Sequence, residues 1–203
     1  MAKRILLAGV LGGLAMFLWA SLAHMVLGTG SVGIKDIPNE RAILPAMKAN
    51  LPQSGFYFFP GLGLASGASR AEQNAAMSAY EQKIESGPSG ILIYHPSGQK
   101  ALTPGKLGTE LGTNVLQGIL AAVLLSFATG LRGYAARVGF VMTAGLMAGI
   151  TTNLSYWTWY GFPGNYTAAY VLTEVMGYVA IGLVAAAIIK HDASNASSAR
   201  AGA

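Results

Sequence analysis

The chain has 203 residues, 53% of them hydrophobic and 10% charged, against about 25% charged in an ordinary soluble domain. Its net charge is +5, but the basic residues are scattered and not interleaved with aromatics, which argues against nucleic acid as a partner. Cysteine is absent, so disulfides, thiolate metal sites and cysteine nucleophiles are excluded.

A membrane-crossing helix needs about 20 mostly apolar residues. The first such segment is 5–27. Lys3 and Arg4 precede it, and Ser21-Leu22-Ala23 resembles a signal-peptidase site. The length of the apolar run and the bulky Trp19 favour an uncleaved anchor helix. Gly9 and Gly13, four apart, suit close helix–helix approach in lipid. Ser21 and His24 lie one turn apart near its end.

The loop that follows, 28–108, holds seven of the eight prolines: Pro38, Pro45, Pro52, Pro60, Pro88, Pro96 and Pro104. Proline punctuates short elements. Asn39 is placed to cap a helix toward Ala49, with Pro45 inside it. Gly55-Phe56-Tyr57-Phe58-Phe59 reads as a strand ended by Pro60 and Gly61. Ser69 and Glu72 have capping-box spacing, and the helix they open reaches about Glu85 with Met77, Tyr80 and Ile84 on one face. Gly87-Pro88 ends it, and Ile91-Leu92-Ile93-Tyr94 reads as a second strand. The loop is therefore expected to be a small α+β cap. Two strands alone bury too little surface to stand by themselves, so the cap is expected to pack on the helix ends, the membrane surface or a partner; the aromatic run 56–59 fits burial within the chain, the favoured expectation, or a docking edge. His95 falls in a turn.

Three further apolar segments follow, at 111–131, 138–156 and 168–189. In the second span Glu110, Asn114 and Gln117 share one helical face. The third carries Gly145 and Gly149 at small-residue spacing and continues that face to Asn153. The fourth contains Glu174, an ionisable group deep in a span, which is costly there and usually faces the bundle interior or a water cavity. No span contains proline, unlike the broken helices of many transporter sites.

Lys3, Arg4, Arg132, Arg137, Lys190 and Arg200 flank the spans on one side, which makes that side the cytoplasm. The aromatic cluster Tyr156, Trp157, Trp159, Tyr160, Phe162 and Tyr166 then lies at the opposite interface. The resulting architecture is an α-helical membrane protein: a four-transmembrane-helix bundle with an extracytoplasmic α+β cap between helices 1 and 2. Its divisions are helix 1 at 1–27, the cap at 28–108, helices 2 to 4 at 109–190, and a disordered cytoplasmic tail at 191–203. His191 belongs to that tail. All the polar span residues (His24, Glu110, Asn114, Gln117, Asn153 and Glu174) fall in the outer half of the membrane.

Three chemistries compete for these six residues. They can be interhelical hydrogen-bond glue, at about 0.6 kcal/mol per bond. They can line a pocket for a small polar ligand, a quinone head group or a proton pathway. Or His24, Glu110 and Glu174 can form a one-imidazole, two-carboxylate metal site suited to iron, manganese or zinc. His24 is the only histidine in a span, so a bis-histidine haem within the chain is not expected. No dinucleotide, phosphate-loop, zinc-protease or serine-elbow motif is present, and the sequence identifies no cofactor.

Four stretches carry a family resemblance: the amino-terminal anchor, Pro38-Asn39-Glu40 with Ala49-Asn50-Leu51-Pro52, Tyr57-Phe58-Phe59-Pro60-Gly61, and Trp159-Tyr160-Gly161-Phe162-Pro163. In these the chain resembles an uncharacterised bacterial inner-membrane protein family. The resemblance implies the architecture and a bacterial origin; with the basic flanks, the expected location is multi-pass in the bacterial inner membrane with both termini cytoplasmic. It transfers no catalytic residue. The leading expectation is a non-catalytic accessory or scaffolding subunit whose partners are the lipid bilayer and other membrane subunits or a second copy. The alternatives are a ligand-, quinone- or proton-handling protein and a membrane metalloenzyme.

Overall fold

The computed structural model describes residues 1–190. Its elements are α1 (Ala2–Met25), a 3-10 turn (Thr29–Ser31), α2 (Glu40–Asn50), β1 (Gly55–Phe59), α3 (Arg70–Ser86), β2 (Gly90–Tyr94), α4 (Pro104–Phe127), α5 (Tyr134–Tyr160) and α6 (Gly164–Ile188). The expected disordered tail, with His191 and Arg200, lies outside the described residues. The chain divides into two compact units. One combines Met1–Ile34 with the chain from Leu102 onward, and the other is Lys35–Ala101.

The first unit is a bundle of α1, α4, α5 and α6, each long and apolar enough to cross a membrane. At 24 to 27 residues and 1.5 Å per residue, each is about 36–40 Å long, which exceeds a hydrocarbon core of about 30 Å. Local chemistry sets the helix ends. Thr103 Oγ1 accepts the Lys106 amide at 3.2 Å, and Pro104 takes the first helical position, where its missing N–H costs nothing. Gly161, at φ 70°, turns the chain out of α5, and Pro163 leads into α6.

α1 packs on both α4 and α6, and α5 packs chiefly on α6. The α1–α4 contact depends on missing side chains. A Cβ on Gly9 would lie 2.5 Å from Ile119 Cα, and one on Gly118 would meet the Gly9 carbonyl oxygen. Gly145 receives the ring of Tyr178 in the same way, joining α5 to α6. Close approach at Gly9, Gly13 and Gly145 is thus realised. The interior is filled by residues such as Ala8, Met16, Leu125, Val141 and Ile181. Outward, large apolar side chains such as Leu6, Leu18, Leu120, Leu146 and Leu172 are exposed on every one of these helices.

Arg137 is buried, 6% exposed. Its guanidinium donates to the Arg132 carbonyl at 2.7 Å and the Ala186 carbonyl at 3.2 Å. It thereby ties the α4–α5 connection to the last turn of α6, where a cation also complements the helix dipole.

In the second unit β1 and β2 pair antiparallel, with Phe56 opposite Ile93 and Phe58 opposite Ile91. The capping box at α3 forms as the spacing predicts: Ser69 Oγ accepts the Glu72 amide at 3.3 Å, and Glu72 Oε2 accepts the Ser69 amide at 2.7 Å. The bonds from Ser69 hold the Glu72 carboxyl below its ordinary value of 4.5.

Two expectations are corrected here. Asn39 does precede a helix, but it sits at φ 58° and its side chain makes no capping bond. A capping side chain reaches the helix amides from extended backbone, and a left-handed Asn39 is not placed to do so. The aromatic run is not buried either. Phe56 is 53% exposed, Phe58 50% and Ile93 65%, and no residue in 24–113 is buried. Strand alternation puts Phe56, Phe58, Ile91 and Ile93 on one face of a two-stranded sheet, and no helix of this unit packs extensively on it among the described residues.

Candidate functional site

Within the bundle, α1, α4 and α6 enclose a cavity of about 520 Å³. α1 contributes Trp19 and His24. α4 contributes Glu110, Asn114 and Gln117, and α6 contributes Tyr170, Thr173 and Glu174.

The α4 residues reach the cavity because i, i+4 and i+7 positions share a helical face. Asn114 is 3% exposed and its amide nitrogen lies 3.4 Å from Glu110 Oε1. Gln117 Oε1 is buried with no hydrogen-bond partner. Glu174 lies ten residues into α6, about 15 Å along the helix. It is partly buried, and among the described residues its carboxyl makes no hydrogen bond. It shares the cavity lining with Glu110.

α1 is pinned across the cavity by the Trp19 indole, which donates to the Thr173 carbonyl at 2.9 Å. His24 Nδ1 lies 3.0 Å from the Ala20 carbonyl; a carbonyl only accepts, so Nδ1 carries the proton and Nε2 is left as an acceptor when the ring is neutral. The His24 ring stands edge-on to Tyr170 at 5.9 Å. Tyr170 stacks on Tyr166 at 4.3 Å, Tyr166 packs on Phe162 at 5.2 Å, and Phe162 stacks on Tyr156 at 5.3 Å. Three members of the aromatic cluster expected at one interface, Tyr156, Phe162 and Tyr166, thus join Tyr170 in a continuous ladder leading to the cavity wall.

Five of the six residues singled out in the spans, His24, Glu110, Asn114, Gln117 and Glu174, line this one cavity. Asn153 does not: it lies on α5 and its amide donates to the Gly149 carbonyl at 3.0 Å. Three helices line the cavity, and α5 is not among them. His24, Glu110 and Glu174 share it, yet no three His, Asp or Glu side chains among the described residues are placed to hold a metal ion. Sequence reasoning passed over Tyr170, which lies one turn before Glu174 on the same face, and Trp19, whose cross-helix bond has no sequence signature.

No family model, curated protein or solved structure matches this chain. The functional reading therefore rests on the chemistry of the cavity: two carboxylates, uncharged hydrogen-bonding groups and aromatic faces beside an apolar wall that includes Met16, Phe17 and Leu107.

Proposed function

We propose that the protein is a multi-pass protein of the bacterial inner membrane that binds a small ligand, apolar in body and polar at one end, among α1, α4 and α6. The observation that carries this reading is the convergence of His24, Glu110, Asn114, Gln117 and Glu174 on one cavity. Its volume of about 520 Å³ falls within the roughly 300–1,000 Å³ of small-molecule sites, and few polar groups on a mostly apolar wall is their usual composition.

The membrane setting is supported by the leucines exposed along all four long helices, a surface too apolar for a water-facing monomer. Lys3, Arg4, Arg132 and Arg137 support cytoplasmic termini. In that orientation Lys35–Ala101 is an extracytoplasmic cap and the cavity opens in the outer half of the bilayer. Native mass spectrometry of protein extracted in lipid nanodiscs tests the ligand reading. A small molecule is expected on the wild type and absent from Ala20→Phe, whose phenyl group occupies the cavity. Equal loading of both proteins contradicts the reading.

A second reading, an accessory or scaffolding subunit, is favoured by the exposure of Phe56, Phe58 and Ile93 on one face of the hairpin. It predicts that native extraction brings down a partner subunit or a second copy, and that Phe56→Ser with Phe58→Ser releases it. A wild-type protein that is monomeric and alone in mild detergent contradicts this second reading.

A further inference from the structure

The hydrogen-bonding inventory of the cavity is lopsided. Several of its donors are already committed to helix carbonyls: Trp19 Nε1 to Thr173 at 2.9 Å, Ser21 Oγ to Phe17 at 2.8 Å, Thr113 Oγ1 to Thr109 at 2.9 Å and His24 Nδ1 to Ala20 at 3.0 Å. Its acceptors are in surplus. Glu174 uses neither carboxyl oxygen among the described residues, and Glu110 meets only the long 3.4 Å contact from Asn114. Gln117 Oε1 is buried without a donor.

Charge is lopsided in the same direction. Glu110 and Glu174 line the cavity, and no Lys or Arg does. Two acids lining one cavity with no Lys or Arg among them favour a cation there. Trp19 and Tyr170 also line the cavity, and aromatic faces attract cations. An anionic head group would meet two carboxylates. A neutral quinone presents only acceptors and would satisfy neither Glu174 nor Gln117 Oε1.

We propose that the ligand is a lipophilic amine: a protonated nitrogen seated between Glu110 and Glu174, with an apolar body against Met16, Phe17 and Leu107. The proposal rests on the reading of the cavity as a ligand site and narrows it to one chemical class. The protonated nitrogen supplies donors for the unused acceptors and a positive charge that no Lys or Arg of the lining provides. The apolar body matches a mostly hydrophobic wall.

Three probes of one shape test it: 4-phenylbutylamine, 4-phenylbutanol and 4-phenylbutanoate. Each is titrated calorimetrically into the full-length protein in phosphatidylcholine nanodiscs, with empty nanodiscs subtracted. The amine is expected to bind saturably and at least tenfold more tightly than the alcohol or the carboxylate. Glu174→Gln and Glu110→Gln are each expected to weaken the amine at least tenfold and the alcohol by much less; should one variant fail to fold, the other carries the test. Glu85→Gln, in α3, controls for general charge effects. Saturable binding of the alcohol or carboxylate as tight as the amine, lost in Ala20→Phe, overturns the amine class and leaves the ligand site standing. Amine binding unchanged in both carboxylate variants also overturns the class. No saturable binding of any probe overturns the ligand site itself.

Discussion

The contact between α1 and α4 makes a quantitative prediction, because it depends on glycines with no room for a methyl group. In Gly118→Ala the new Cβ would press on the Gly9 carbonyl oxygen and lie 2.7 Å from Gly13 N and 3.2 Å from Gly13 Cα. Carbon–oxygen contacts between packed backbones settle at about 3.3–3.6 Å, so the helices must separate by roughly 1 Å. All the obstructing atoms are backbone, and no side chain can swing away. A gap of about 0.5–1 Å forfeits a quarter to a half of each dispersion contact across the seam. Packing is the main source of helix association in lipid, so the cost should reach the upper part of the roughly 1–3 kcal/mol seen for overpacked cores. Gly112→Ala is the internal control: it lies on the same helix with nothing within 4 Å of the added atom, and replacing glycine by alanine in an open helical position is neutral or stabilising by up to about 1 kcal/mol. Equilibrium unfolding of both variants in the same nanodiscs decides the matter. Destabilisation by Gly118→Ala alone supports the packing, and equal behaviour of the two refutes it.

Other outcomes follow from single contacts. Arg137→Lys removes the fork that reaches two carbonyls and should cost about 1.5–3 kcal/mol, the range for one charge-assisted bond, read as a lower melting temperature. Trp19→Phe deletes the bond to Thr173 and should cost about 0.6 kcal/mol, as for interhelical bonds in lipid; unfolding equilibria of the two proteins give the difference. The capping box has a pH signature. Because the Glu72 carboxyl is held below its ordinary value by Ser69, its contribution to α3 is present above that ordinary value and is lost as pH falls through the lowered one. Amide hydrogen exchange in the first turn of α3 should therefore be slower than in Ser69→Ala at neutral pH, and the difference should shrink in acid to what the Ser69 hydroxyl alone contributes. Topology is accessible because the chain has no cysteine: Ser66→Cys should react with an impermeant maleimide on intact cells, and Lys3→Cys only after permeabilisation.

The helices were legible because length and uniform apolarity suffice to mark them, whatever their packing. Their ends were less so. Reading proline as loop punctuation leaves Pro104 in the loop, whereas it opens α4 behind the Thr103 cap; the same residue serves both uses, and only the cap separates them. The Ser69–Glu72 box was legible because both partners lie within one turn. The polar set on α4 was legible for a similar reason, since 110, 114 and 117 obey helical spacing. Whether α4 faced Glu174 was not legible, because that depends on which glycines bring α1 against its neighbours. Asn153 shows the limit: it has the same residue character and depth as Asn114, yet α5 turns it to its own backbone. The exposure of Phe56 and Phe58 was missed because a run of aromatics usually implies burial, whereas each side chain here stays about half exposed.

The central claim is that the cavity among α1, α4 and α6 is a place where a ligand sits. Trp19 lines it, and the remaining tryptophans are Trp157 and Trp159. In a Trp157→Phe/Trp159→Phe protein, Trp19 is the sole indole reporter of the site. Titration of that protein in nanodiscs with 4-phenylbutylamine, 4-phenylbutanol and 4-phenylbutanoate should give a saturable change in Trp19 emission with at least one of them, and none once Ala20→Phe is added. Emission that drifts without saturation for all three, or saturates equally in the Ala20→Phe protein, would contradict the account.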